Sequence, residues 1–346
     1  MEHTSAPHPT RSDRRRVIVV TGASAGVGRA TARAFGEAGC AVALIARGRD
    51  GLEAAAREVE EAGGRALAIE ADVADPAQVE AAAARAEQAF GAIDVWVNDA
   101  MVTVMSPVAE TTAEEYRRVT EVTYLGAVHG TLAALRRMLP RDRGVIVQVG
   151  SALAYRAIPL QSAYCAGKHA LRGFTDSLRC ELLHEQSGVQ VTMVQLPALN
   201  TPQFEWSRIR FDRQPQPVPP IYQPEVAAQA IVFAADAGRR EVWVGGRNAL
   251  LMFANKLAPA VGDRYLARTG YDSQFTDEPA SPARPDNLER PLPGDFGTHG
   301  RFDARARTRS LQLEATMRRG GLLLGAIALA TGLGLAWSLA RPDRMR

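Results

Sequence analysis

Lysine is almost missing from this chain. Of 41 basic residues only Lys168 and Lys256 are lysines, so each lysine position carries information that an arginine position does not. Cysteine is scarce too. Cys40, Cys165 and Cys180 are too few, and odd in number, for a disulfide framework; this excludes the small disulfide-stapled class and fits a reducing compartment. Neither sign of charge is in excess, because 41 basic residues face 38 acidic ones for a net charge of +3. With no aromatic-interleaved basic motif either, nucleic acid is not an expected partner. Residues 1–16 contain no apolar run, so they are expected to form a flexible basic flank ending in Arg14-Arg15-Arg16, not a secretory signal. Material for a core is not lacking: 346 residues, 46% hydrophobic and 23% charged, match a folded enzyme with length for about two units of ~150 residues.

What is present is alternation. Short aliphatic or β-branched runs occur at 17–20, 41–46, 66–70, 93–97, 145–149, 189–196 and 241–244. Between them lie Ala/Glu/Arg-rich helical patterns at 26–38, 52–62, 76–90, 113–138, 162–184 and 224–237. Strands alternating with helices predict βαβ units and a parallel sheet covered on both faces. Right-handed crossovers then give an α/β, Rossmann-type doubly wound arrangement over 17–246. Residues 200–222 break the alternation with Pro202, Pro215, Pro217, Pro219 and Pro220 among Phe204, Trp206 and Phe211, and are expected to form a substrate lid.

The stretch Thr21-Gly22-Ala23-Ser24-Ala25-Gly26-Val27-Gly28 follows the first predicted strand and opens the first helix. Glycines so spaced allow a tight turn and close approach to a pyrophosphate, which a helix N-terminus attracts through unpaired N–H groups and its dipole. The pattern Thr-Gly-x-x-x-Gly-x-Gly resembles the short-chain dehydrogenase/reductase family. Further pieces agree in order: Asp72-Val73, Asn98-Asp99-Ala100, Ser151, Tyr164, Lys168, then Pro197 with Thr201 four residues on. The resemblance covers about 17–246 and implies a seven-stranded sheet, an NAD(P)-dependent oxidoreductase acting on CH–OH groups, and self-association through the two long central helices. It further implies that Thr21, Gly22, Ser24, Gly26, Val27 and Gly28 cradle the phosphates and that Asp72 and Val73 flank the adenine. Asn98 and Ala100 would line the ribose path, and Pro197 to Thr201 would hold the nicotinamide. Where an NAD-using member carries an acid after the second strand, this chain has Ala46 followed by Arg47. A guanidinium there suits the 2′-phosphate of NADP(H), leaving NAD(H) the lesser alternative.

Tyr164 and Lys168 stand four apart on a predicted helix, hence on one face. Free tyrosine has a pKa of about 10, too high for facile exchange at neutral pH. The resemblance implies that Lys168 and the oxidised nicotinamide together favour the phenolate. Tyr164 would then exchange the proton, Ser151 would bond the same oxygen, and Lys168 would also hold the ribose hydroxyls. Three positions depart from the family pattern: Thr123 where Asn supports a relay water, Met101 after Ala100, and Ala198 after Pro197. Those departures keep open a second reading, a cofactor-binding scaffold or sensor with little turnover. Leu153, Tyr155, Ile158, Gln161, Leu199, Phe204 and Trp206 are expected to face substrate and favour a hydrophobic ketone, aldehyde or secondary alcohol. His129 and His169 lack partners at ligand spacing, so no metal is expected.

Beyond the sheet, 247–271 is expected to be a helical extension and 272–317 a Pro/Arg-rich linker, with prolines at 279, 282, 285, 291 and 293. A transmembrane helix is expected over 318–341. Its 21 residues from Gly320 to Ala340 carry no charge and are bounded by Arg318-Arg319 and Arg341; as a helix they span about 31 Å against a hydrocarbon core of about 30 Å. Arg301, Arg305, Arg307, Arg309, Arg318 and Arg319 outnumber Arg341, Arg344 and Arg346, which puts the catalytic domain on the cytoplasmic side.

Overall fold

A computed structural model describes residues 15–246, 255, 257–281 and 283–318. Its centre is a seven-stranded sheet in the order β10-β7-β6-β4-β1-β2-β3, with every neighbouring pair parallel. The strands are β1 (Val17–Thr21), β2 (Ala41–Ala46), β3 (Arg65–Glu70), β4 (Val95–Asn98), β6 (Gly144–Ser151), β7 (Val189–Leu196) and β10 (Glu241–Trp243). The central strands are mostly apolar because helices cover both faces, and all five residues of β1 and all six of β2 are buried. β3 lies at the edge and mixes exposed Arg65 and Glu70 with buried Ile69.

On one face α1 (Gly26–Glu37), α2 (Arg49–Glu61) and α8 (Pro224–Ala237) pack Phe35, Leu52, Val59 and Ile231 against Ile18, Val20, Leu44 and Val97. On the other, α3 (Pro76–Phe90), α4 (Ala113–Thr120), α5 (Gly126–Met138) and α6 (Ser162–His184) cover Val17, Val19, Ile45 and Trp96. Each fully buried aliphatic side chain contributes about 1.5–3 kcal/mol relative to an exposed one. Local chemistry sets the helix starts. Asp75 caps α3 by accepting from the Ala77 and Gln78 amides ahead of Pro76, and Thr112 with Glu115 forms a capping box on α4.

The single helix expected over 113–138 is two helices joined by a π turn, Glu121–Leu125. The insertion at 200–222 carries α7 (Gln203–Trp206), β8 (Arg208–Ile209) and β9 (Arg213–Pro215). β8 pairs with β5 (Val104–Met105), and β9 with β11 (Phe275–Pro279). Of the expected helical extension, α9 (Pro259–Thr269) is described, whereas 247–254 lie outside the described residues.

The expected linker is folded. Leu288, Phe302 and Leu313 are buried, residues 311–318 are helical, and the chain between runs back across the sheet's carboxyl edge. Apolar residues spaced among the prolines give this segment surface to bury, which an extended linker would leave in water. Apart from Arg318, the helix expected over 318–341 lies outside the described residues. Among the described residues no helix is long and apolar enough to cross a membrane.

Candidate active site

β1, β4, β6 and β7 all end at one edge of the sheet, placing Thr21, Asn98, Ser151 and Leu196 beside a common crevice. Thr21 clips the strand ends together: its Oγ1 accepts from the Asp99 and Ala100 amides at 3.0 and 3.2 Å and donates to the Val97 carbonyl. The turn that follows needs glycine. Gly22 has φ +71°, and a Cβ there would lie 2.8 Å from Ala100 Cα; one on Gly28 would run into the Gly22 carbonyl. α1 opens at Gly26 without a side-chain cap, so its first amides have no intrahelical acceptor. Gly26 N–H donates to the Gly297 carbonyl and Gly28 N–H to the Asp99 carboxylate.

The cleft beyond holds about 1110 Å³ of empty space out to open solvent. Gly22, Ser24, Gly26, Val27, Arg47, Asp72, Val73, Ala100 and Thr201 line it. Asp72 accepts from Arg118 at 2.6 Å. Asn98 does not line the cleft: its side chain is buried and held by Trp96, Thr131 and Gln148. Pro197 follows the end of β7 at the same edge.

Ser151, Tyr164 and Lys168 come together outside the cleft lining, linked to it through Asp99, whose charge acts on both Tyr164 and Lys168. Ser151 Oγ hydrogen-bonds the Tyr164 phenol and accepts from the Leu153 amide at 3.1 Å. The Lys168 ammonium lies 5.7 Å from the centre of the Tyr164 ring and donates to the Val149 carbonyl at 2.7 Å. Burial pushes the Tyr164 phenol well above its ordinary range, Ser151 opposing and Asp99 adding to the rise. Burial also lowers Lys168 to about 8, against the pull of Asp99. Asp99 in turn is raised to about 7 by burial, opposed by Lys168 and the Gly28 amide. A carboxylate and an ammonium that both titrate near neutrality thus act on each other's charge near the phenol.

The family model for short chain dehydrogenase matches residues 16–209. The chain belongs to the short-chain dehydrogenase family. It is 34% identical over 333 residues to the uncharacterized oxidoreductase YxnA of Bacillus subtilis (strain 168), covering 95% of this chain and 91% of that one. A short-chain dehydrogenase/reductase from Burkholderia phymatum, solved with NAD, shares the fold at TM-score 0.66 and 21% identity over 72% of this chain and 95% of its own. A metagenomic short-chain oxidoreductase solved with NADP superposes at TM-score 0.56 with 29% identity, over 66% of this chain and 96% of its own.

Several residues of this dehydrogenase stand differently from expectation. Arg47 lines the cleft, but its guanidinium donates to the carbonyls of Asn287, Leu288 and Glu289 at 2.6, 3.2 and 3.0 Å. Tyr155 is turned away, its hydroxyl on Glu241 at 2.6 Å and its ring against Trp243. Leu199 is buried in the core and Phe204 packs on Phe302. Gln161 is bonded to Gln274 at 2.7 Å, and Leu153 and Ile158 are half-buried outside the cleft lining. Apolar residues in those stretches satisfy local packing first. Of the residues expected to face substrate, Trp206 lines the cleft, together with Met101, Val102, Val122 and Gln203. Thr123 sits in the π turn with its hydroxyl donating to the Val102 carbonyl and accepting from the Val102 amide.

Sequence reasoning took in Asp99 only within the stretch Asn98-Asp99-Ala100 and missed Arg118, Asn287 and Phe296. Asp99 was visible as an acid inside a turn pattern. Arg118 read as one more arginine on a helix, and Asn287 and Phe296 lay in a stretch read as a linker.

Proposed function

We propose that this oxidoreductase interconverts a carbonyl and an alcohol with NADP(H), acting on a hydrophobic ketone, aldehyde or secondary alcohol. The observation that carries the reading is the convergence of Ser151, Tyr164 and Lys168 beside a glycine cradle at the start of α1. The cradle suits a dinucleotide, since glycine backbone that a Cβ would block permits close approach and the helix end favours a pyrophosphate. Bound there, the dinucleotide supplies or accepts the hydride.

The chain's own residues handle the proton. Tyr164, kept neutral by burial, donates from its hydroxyl to the carbonyl oxygen in reduction and takes the proton back in oxidation. Ser151, already bonded to the phenol, holds the same oxygen. Lys168, fixed by the Val149 carbonyl, sets a positive charge near the phenol and would hold the ribose hydroxyls. Asp72 and Val73 would flank the adenine, and Pro197 to Thr201 would hold the nicotinamide. Met101, Val102, Val122 and Trp206 give the cleft an apolar lining that favours a hydrophobic substrate. The uncharged stretch at 320–340, with its flanking arginines, supports a C-terminal anchor with the catalytic domain on the cytoplasmic side.

Arg47 supports the NADP preference. Three carbonyls fix its position, and among the described residues it forms no ion pair, so its charge is left for a 2′-phosphate. The test is the ratio of kcat/KM with NADPH to that with NADH. Arg47→Ala is expected to lower it about tenfold or more, because hydrogen bonds to charged groups are worth roughly 1.5–3 kcal/mol. An unchanged ratio would remove Arg47 from this role.

A further inference from the structure

The segment mistaken for a linker closes over the cleft. At one end the Asn287 amide donates to the Trp206 carbonyl at 3.1 Å, which ties the segment to the insertion after β7. In the middle Arg47 gathers three successive carbonyls. Farther on, the Gly294 amide reaches the Asp50 carboxylate at 2.7 Å, Asp295 pairs with Arg29, and the Gly297 carbonyl takes the first amide of α1 at 3.1 Å. The chain then returns to Asn200, whose side chain accepts from the Phe302 amide at 2.9 Å. It therefore crosses from the nicotinamide side to the phosphate cradle and back.

Two features show how it is held. Leu288 and Phe302 are buried, but most of 289–295 is exposed, so its fastenings there are hydrogen bonds and ion pairs rather than buried apolar area. Contacts of that kind open locally while a packed core stays intact. Gly294 and Gly297, at φ +102° and +68°, bracket Asp295 and Phe296 and give the backbone freedom at both ends of the piece that touches α1. Asn287, Pro291, Leu292, Gly294 and Phe296 line the same cleft as the glycine cradle, and the Phe296 ring meets Trp206 edge-on at 4.7 Å.

We propose that residues 284–303 form the outer wall of the dinucleotide site, and that the cofactor enters and leaves only when the stretch around 294–297 releases α1. This rests on the cofactor reading above. The strap shields the pyrophosphate region from solvent, and opening it limits cofactor exchange.

The test is stopped-flow association and displacement of NADPH, followed by nicotinamide fluorescence, on the full chain and on Phe296→Ala and Asp295→Asn. Neither change touches the core, since Arg29 keeps Glu58 when Asp295 is altered. Both variants are expected to speed association and dissociation, dissociation by roughly tenfold or more. Dissociation within about twofold of wild type in both variants, with binding intact, would overturn the strap. Failure of the wild-type chain to bind NADPH would overturn the cofactor reading, and the strap with it.

Discussion

Lys168 and Asp99 act on each other's charge, with ordinary charge states held in check by burial. The lysine is brought to about 8 and the acid to about 7, so near neutrality the pair passes from one ionised partner to two and back. For carbonyl reduction the phenol must be protonated and the lysine charged. Burial keeps Tyr164 protonated well past neutrality, which leaves Lys168 as the first of the two to fail as pH rises. The reductive kcat/KM is therefore expected to fall as pH rises through about 8. Asp99 raises the lysine's pKa, so Asp99→Asn should move that fall to lower pH, as read from the pH–rate profile; an unmoved limb would detach Asp99 from the site. The pairing of Tyr164 with Lys168 was legible because a helical spacing of four is local and lysine is rare here. The raised pKa of Asp99 was not, since it comes from burial, opposed by a lysine far along the chain and by the Gly28 amide.

At the level of elements, interruptions hide better than regular runs. The apolar and helical periodicity of 113–138 reads as one helix, yet a π turn at Glu121–Leu125 lets the Thr123 hydroxyl bond both the amide and the carbonyl of Val102. Such turns leave no mark on hydrophobic spacing. The strap hid for another reason: five prolines in 279–293 read as extended chain, whereas Arg47 and Arg118 hold its backbone and Arg29 its Asp295 carboxylate, through contacts 170 or more residues away in sequence. The remaining element is the uncharged stretch at 320–340, argued from length and flanking charge alone. Full-length protein is expected to stay with membranes through a carbonate wash, and a chain ending at Arg318 to be released. Full-length protein in the wash would contradict the anchor.

In the whole molecule, the doubly wound parallel architecture was the most legible feature. Runs buried on both faces, alternating with helices, admit few right-handed arrangements, and the parallel order β10-β7-β6-β4-β1-β2-β3 is one of them. That order carries Thr21, Ser151 and Leu196 to a single edge, with Tyr164 and Lys168 on α6 behind them. Side chains predicted to face substrate were less legible, because Tyr155, Leu199 and Phe204 found partners in Glu241, the core and Phe302, none of which is near in sequence. On the proposed mechanism this edge transfers a proton from Tyr164 in step with hydride transfer. The most direct test is NADPH oxidation by full-length wild type and Tyr164→Phe against a panel of hydrophobic carbonyl compounds, with NADPH binding titrated alongside. The wild type is expected to turn over at least one carbonyl. The variant should lose about 10²–10⁴-fold in kcat while binding NADPH as before. A wild type that binds NADPH yet reduces no carbonyl, or a variant as fast as wild type, would contradict the account.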